Sequence, residues 1–265
     1  VNTSHEKQWE VNARAYAGLD FAKGIHALHL KAAWLYYRQN YDKWYEGGLF
    51  DPEGNRNKSQ TWQAVADYSV APCDNLVADV TVTYGYDRVR VSSYMDIDSS
   101  KYVLGDVIYD IPEVEPPVVA RRNVVSLQAA VQWSPVAWLA VNGQYMFEQN
   151  DSRGVSTGAL GVVANLLGHE LQVKGSVAYN YRFPSMNDLY WRPGGNPDVR
   201  PEKGYSYDMA VSYRKDFNRQ WSFDAEAAGY LMYIDDWILW LPKDGNQWIW
   251  TPQNHRNVRS VGTEL

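Results

Sequence analysis

Apolar and polar residues alternate along most of this chain. From Leu171 to Phe183 the odd positions read Leu171, Val173, Gly175, Val177, Tyr179, Tyr181 and Phe183. The even positions read Gln172, Lys174, Ser176, Ala178, Asn180 and Arg182. A period of two puts each set on its own face of a β-strand, one greasy and ending in aromatics, the other polar and charged. The pattern recurs. Leu76, Ala78, Val80, Val82, Tyr84 and Tyr86 oppose Asp79, Thr81, Thr83 and Asp87. Val125, Leu127, Ala129, Val131 and Trp133 oppose Ser126, Gln128, Ala130 and Gln132. Tyr205, Tyr207, Met209, Val211 and Tyr213 oppose Ser206, Asp208, Ala210, Ser212 and Arg214. A soluble sheet hides its apolar face in a core, but little loop or helix sequence is left here to cover one. A closed barrel with lipid outside and water inside satisfies both faces.

Period-two counting gives about eleven strands. They fall near 6–18, 24–42, 58–71, 76–91, 120–134, 136–150, 156–167, 169–183, 203–215, 219–240 and 249–265. Tight turns are expected at Leu19–Lys23, Pro72–Asn75, Ser134–Pro135, Leu167–His169 and Asp216–Arg219. Longer excursions alternate with them near 43–57, 92–119, 184–202 and 241–248, with a short one at 150–155. Short connections on one rim and long ones on the other are how bacterial outer-membrane barrels are built, the short turns being periplasmic. Aromatics gather where strands enter the long loops: Trp34, Tyr36, Tyr84, Tyr86, Tyr145, Phe147, Tyr179, Tyr181, Tyr230 and Tyr233. A smaller set, Trp133, Trp138, Phe217 and Trp221, marks the short-turn rim. Bacterial single-chain barrels have even strand numbers. The odd count, and a strand pattern still running at Glu264–Leu265, make this chain an expected part of a larger barrel, with strands missing on both sides.

Composition changes this picture little. Mean hydropathy is -0.48, which would suggest a soluble protein, but only alternate residues of a membrane barrel meet lipid. No run approaches the roughly 20 apolar residues of a membrane-spanning helix. The 12 Trp and 20 Tyr suit interfacial girdles, though carbohydrate-binding sheets are also rich in them. One cysteine, Cys73, leaves no internal disulfide framework. A net charge of -6 argues against a nucleic-acid partner, and no basic patch stands out along the chain.

Catalytic and metal chemistry find little footing. There is no Gly-x-Ser-x-Gly elbow and no histidine beside a plausible serine nucleophile, so the chain is not expected to be an enzyme. His169 lies at a periplasmic-type turn and His255 near the opposite rim, neither with an evident partner. Asp96 and Asp98 could offer oxygens to calcium, but two carboxylates without a Gly-containing ligand loop fit a solvated loop better. His26 and His29, three apart, point to opposite faces of a strand. No resident cofactor or metal is called for.

The segment from Tyr179 to Glu202 resembles a stretch of TonB-dependent outer-membrane receptors. There a strand ends in an aromatic-basic-aromatic-Pro turn, here Tyr181, Arg182, Phe183 and Pro184. An Asn-Asp-Leu-Tyr run follows at Asn187, Asp188, Leu189 and Tyr190. Gly195, Asn196 and Pro197 come next, and Pro201 and Glu202 open the following strand. Tyr230–Trp240 is similar to the family's aromatic-rich Ile-Asp-Asp-Trp-Ile strand, and Gly262 and Glu264 match its Gly-x-Glu ending. The resemblance is strongest over 170–265, and its composition is closest to cobalamin- and siderophore-type receptors. It implies an all-β fold, an antiparallel transmembrane β-barrel of about 22 strands around a plug domain. Residues 1–265 would then be a partial barrel domain, without plug, terminal strands or TonB-contacting box.

What the resemblance implies for function is TonB-dependent import of a bulky nutrient, such as cobalamin (vitamin B12) or a ferric siderophore. The partners are then the TonB complex (through the plug), outer-membrane lipid and the nutrient ligand, with a surface lipoprotein left open. Inward polar residues Arg14, Lys31, Asp67, Asp79, Gln128, Gln144, Lys174, Asp208, Asp224 and Glu226 would hold the plug or simply solvate a lumen. Ligand capture is expected at Tyr190, Trp191, Arg192 and Asn196, and at Trp240, Gln247, Trp248 and Trp250. Trp240 and Trp250 fit a lipid-facing girdle equally well, and Asn187 and Asp188 suit the loop's own turn better than a ligand. The alternatives are a diffusion porin, with the 92–119 segment and its Pro112, Glu113, Glu115, Pro116 and Pro117 as constriction loop, and a soluble aromatic-rich glycan-binding sheet.

Overall fold

The computed structural model describes residues 4–45, 55–93, 101–104, 107–110, 118–151, 153–191, 194–218, 220–243 and 246–265. One antiparallel sheet of 11 strands dominates, each strand beside its neighbour in sequence. The first four are β1 (Ser4–Lys23), β2 (His26–Tyr45), β3 (Asn55–Cys73) and β4 (Leu76–Ser93). A separate two-stranded hairpin follows, β5 (Lys101–Leu104) with β6 (Val107–Asp110). The sheet resumes with β7 (Val118–Val136), β8 (Leu139–Asn150), β9 (Gly154–Leu166) and β10 (Leu171–Arg182). After a short helix, α1 (Met186–Tyr190), come β11 (Glu202–Asp216), β12 (Ser222–Lys243) and β13 (Asn246–Glu264).

Cross-strand partners share a face, so the register reads out both surfaces. One rung runs Ala22, Ala27, Ser69, Asp79, Ala130, Gln144, Ala159, Ala178, Ser206, Met232, Ser260, from β1 to β13. It is small or polar at every strand but one. The adjacent rung on the other face runs Phe21, Leu28, Tyr68, Val80, Ala129, Tyr145, Gly158, Tyr179, Tyr205, Tyr233, Arg259. A one-residue slip would exchange these faces, so their uniformity across the sheet fixes the register.

Nothing among the described residues covers the apolar face. The buried hydrophobic side chains are few (Val91, Ala120, Val199 and Ile238), whereas Leu127 is 45% and Met209 60% exposed. A soluble domain does not leave so much contiguous apolar surface in water. The rows are therefore built for lipid.

Several boundaries differ from the sequence-based expectation. Leu19–Lys23 is strand, and the turn falls at Gly24–Ile25, where Gly24 adopts a φ of 61° that a side chain would strain. Leu19 and Phe21 continue the lipid-facing row, so the amphipathic pattern holds the chain in the sheet to its rim. Ser134 and Pro135 lie within β7, at a register irregularity between Trp133 and Val136 that absorbs the missing proline N–H. The 241–248 segment is not a long excursion. β12 and β13 pair up to Lys243 and Asn246, with a register shift at Pro242. Tyr230 leaves the girdle: it lies on the polar face, paired with Asp208 and with Gly262. The basic patch absent from the linear sequence also appears on pairing, as Arg38, Lys58 and Arg90 become neighbours.

The two faces predict opposite sensitivities. Val177→Arg, on the lipid-facing row, should destabilise the full-length barrel by about 2–4 kcal/mol. Lys174→Ala loses only a half-exposed ion pair to Glu226 at 3.8 Å, so about 1 kcal/mol or less is expected. Denaturant unfolding in lipid or detergent compares them, and equal costs would refute the face assignment.

Candidate functional site

The connection from β10 to β11 folds inward at the long-loop rim and is sewn down at both ends. Pro184 ends β10, and Ser185 caps α1. The Ser185 hydroxyl accepts from the Asp188 backbone N–H, while Asp188 Oδ2 accepts from the Ser185 N–H at 2.9 Å and hydroxyl at 2.8 Å. This reciprocal capping box stabilises a helix too short to persist alone. Asp188 is buried, and its Oδ1 accepts from Trp240 Nε1 at 3.1 Å, tying the helix to β12.

The chain beyond α1 is pinned to β13. Gly195 sits so close to Trp191 that an added Cβ would lie 2.5 Å from the Trp191 nitrogen, so only glycine fits. Asn196 donates to the Pro252 carbonyl at 3.0 Å and accepts from the Asp198 N–H at 3.0 Å. Asn254 accepts from the Arg200 N–H at 2.7 Å and donates to the carbonyls of Arg200 and Asp236. Asp236 has a φ of 57°, the left-handed region, which Asp tolerates better than most residues. Arg200 holds it there through a 2.6 Å ion pair.

Two carboxylates lock the loop's return. Arg182 grips Glu202 with a fork of 2.6 and 2.8 Å, and Glu202 Oε1 also accepts from the Ile238 N–H at 2.7 Å. Burial pushes the Glu202 carboxyl up, but the Arg182 fork and the Ile238 N–H outweigh it and hold the group below the usual range. Asp236, also at the rim, is likewise held down, first by its hydrogen bond from Arg200.

On the other side the loop's base reaches β7. Arg122 donates to the Pro184 carbonyl at 3.1 Å and to Asp87 Oδ2 at 3.0 Å, while Thr61 donates to Asp87 Oδ1 at 2.7 Å. Between these anchors lies a concavity of about 710 Å³ on the polar face. Its wall includes Gln63, Asp87, Arg122, Glu148, Thr157 and Arg182. Both arginines are committed to carboxylates, so the hollow presents neutral hydrogen-bonding groups together with the Glu148 carboxylate.

The structure sorts the sequence-derived candidates. Tyr190 and Trp191 are half-buried at this loop. Asn196 and Trp240 are also here, but their polar atoms fasten the loop, and Trp240 turns inward rather than joining a lipid-facing girdle. Asp188 serves its own turn. Trp250 is exposed and paired with Pro242. Arg192, Asp96, Asp98 and the 111–117 stretch lie outside the described residues, as do the side chains of Gln247 and Trp248. Arg14, Lys31, Asp79, Gln128, Lys174, Asp208, Asp224 and Glu226 all fall on the single polar face by register. The Arg122–Asp87–Thr61 cluster was missed. Its signal was parity alone: each belongs to the polar set of its strand, three strands in a row.

A family model described as TonB dependent receptor-like, beta-barrel, matches residues 2–265. The chain belongs to that family of bacterial outer-membrane receptors, and its sheet is a stretch of antiparallel transmembrane barrel wall. Within the family it is 32% identical over 126 residues to the vitamin B12 transporter BtuB of Photobacterium profundum, covering 46% of this chain and 20% of that protein. A solved double mutant of the Serratia marcescens hemophore receptor HasR, in complex with its hemophore HasA and heme, matches with a TM-score of 0.69 at 14% identity. That match covers 98% of this chain and 46% of HasR. The copper transporter OprC matches equally well, at 0.69 and 14%, over 97% of this chain and 42% of OprC. The chain thus spans less than half the length of each of these three proteins.

The loop's fastening should be acid-sensitive. Glu202 and Asp236 both have depressed values when folded, so their stabilisation is complete above the ordinary carboxylate range and lost as pH falls below roughly 4. Hydrogen exchange across 185–200, corrected for intrinsic rates, should rise there before the sheet responds. Glu202→Ala should loosen the loop by about 1–3 kcal/mol by orphaning the Ile238 N–H, and Glu202→Gln by less, because its amide oxygen still accepts.

Proposed function

We propose that the complete receptor imports a bulky nutrient across the bacterial outer membrane, with cobalamin the leading ligand and a ferric siderophore the next. The observation that supports this most directly is the hollow at the long-loop rim, about 710 Å³ in volume and lined at the base of the inward-folded loop by Tyr181, Phe183 and Ser185. A cavity of this size suits a large ligand held by aromatic faces and a few polar groups. Likeness to a vitamin B12 transporter adds weight to the corrinoid.

In this proposal the polar face holds a plug domain, and the TonB complex acts on that plug to admit the ligand. Arg14, Lys31, Asp79, Gln128, Lys174, Asp208, Asp224 and Glu226 are the wall residues that would meet it. Tyr190, Trp191, Arg192, Gln247 and Trp248 are the residues proposed to meet the ligand, with Asn196 and Trp240 acting by positioning the loop. A diffusion porin or other outer-membrane channel is the alternative.

Uptake separates the two. The full-length receptor, expressed in cells lacking their own cobalamin receptor, should restore accumulation of labelled cobalamin only when TonB is present. Accumulation independent of TonB would favour the channel. Trp191→Ala with Trp248→Ala should weaken cobalamin binding about tenfold or more while the barrel stays folded. Unchanged affinity would remove both from the site, and tighter binding of a ferric chelate by the parent would redirect the choice of ligand.

A further inference from the structure

Charge is unevenly spent around the rim hollow. Four ionisable acids and bases line it: Asp87 on β4, Arg122 on β7, Glu148 on β8 and Arg182 at the end of β10. Three of them have partners. Arg122 holds Asp87 at 3.0 Å, and the rest of its fork goes to the Pro184 carbonyl or is buried. Arg182 grips Glu202 and has Asp188 at 4.0 Å on its other side. Arg153, just before β9, is engaged with the Tyr181 hydroxyl. Glu148 alone has no hydrogen bond or ion pair among the described residues.

Its neighbours explain the isolation. Glu148 faces Ser126 across one side and Val155 across the other. Met146 and Thr157 form the next rung of the same polar face. None of these four carries a charge, and Glu148 is half-buried among them. A carboxylate drawn partly out of water without a donor is costly, and a ligand that brings an N–H recovers that cost. No cation of the hollow is left over for an anionic ligand, since each arginine already faces a carboxylate.

We propose that Glu148 sets the charge of the imported molecule. It accepts hydrogen bonds from amide N–H or cationic groups of the ligand and repels an anion placed at that point. This rests on the import reading and narrows its ligand. A corrinoid, rimmed with primary carboxamides, fits the rule, as do neutral or cationic ferric chelates, whereas anionic ferric chelates break it. Hydrogen bonds to an ionised acceptor are the stronger kind, and like charges brought together at an interface discriminate sharply between ligands.

The test uses the full-length receptor in detergent and probes that differ by one group. Cyanocobalamin is compared with its b-, d- and e-monocarboxylic acids, in each of which one propionamide has become a carboxylate. The parent should bind at least one acid about tenfold or more weakly than cyanocobalamin. Glu148→Gln should still bind cyanocobalamin and should erase that difference, and Glu148→Lys should prefer the acid. Asp151→Asn removes an exposed carboxylate outside the hollow, engaged by Asn123, and should leave the ratio unchanged. Heat-modifiable mobility checks that each variant is folded. The proposal is overturned if no acid binds the parent more weakly, if the penalty survives Glu148→Gln, or if Asp151→Asn removes it equally. Should the parent bind no cobalamin, the same variants are read with a cationic trihydroxamate ferric chelate and an anionic triscatecholate one. Preference for the anionic chelate, or a preference untouched by Glu148→Gln, is then the overturning result. A parent that binds none of these probes fails the import reading itself and the charge rule with it, which tells the two failures apart.

Discussion

Backbone pairing in hydrocarbon is the constraint from which the rest follows. With no water to satisfy an amide, each N–H and C=O at membrane depth must find a partner in the next strand. Here the ladder is continuous across all eleven strands of the main sheet, and its irregularities sit at the ends. The shifts at Val70/Cys73 and Trp133/Val136 lie at the short-turn rim, and the one at Pro242/Lys243 and the left-handed Asp236 lie toward the long loops. Bulges and strained residues are tolerated where water can reach the freed groups. Chemistry is accordingly displaced to the rims and the polar face.

The same constraint explains why the fold was legible in sequence. An uninterrupted ladder forces side chains to alternate, and two different solvents force the alternation to be apolar against polar. The eleven strands of the main sheet and most of their faces were readable from that, while the β5–β6 hairpin inside the 92–119 segment and the inward side of Tyr230 were not. Turn positions were not, because the alternation at Leu19–Phe21 continues to the edge of the sheet and gives no local stop. The 241–248 hairpin was hidden for a related reason. Pro242 and the tryptophans around it read as loop, yet edge irregularity lets the proline sit in paired strands.

The candidate site was legible only in part, since its geometry depends on cross-strand neighbours. The Asn-Asp-Leu-Tyr and Gly-Asn-Pro motifs located the inward-folded loop. Their roles emerged only with the fold: Asp188 and Asn196 spend their polar atoms on Trp240 and Pro252, residues 52 and 56 positions away. Arg122 and Asp87, 35 apart, were invisible as a pair. The cations at Arg38, Lys58, Arg88, Arg90 and Arg121 are scattered along the chain and converge only through register.

These anchors divide the wall into a firm rim and a yielding interior. At the rim, Asp188 is buried with three donors, Glu202 accepts a fork and a backbone N–H, and Arg122 links the loop's base to β4 and β7. Removing one partner there orphans buried groups, so the loop moves as a unit or not at all. Deeper on the polar face, Lys174 and Glu226 are half-exposed and 3.8 Å apart, and Asp208 meets Ser176 at 3.3 Å. Such contacts contribute about 0–1 kcal/mol each. In the proposed import, a fixed mouth above weakly held walls would let a plug exchange wall contacts one by one without disturbing the loop at the mouth. The mechanical step in the proposed import therefore falls on the interface between polar face and plug, with the 184–202 loop as a static frame.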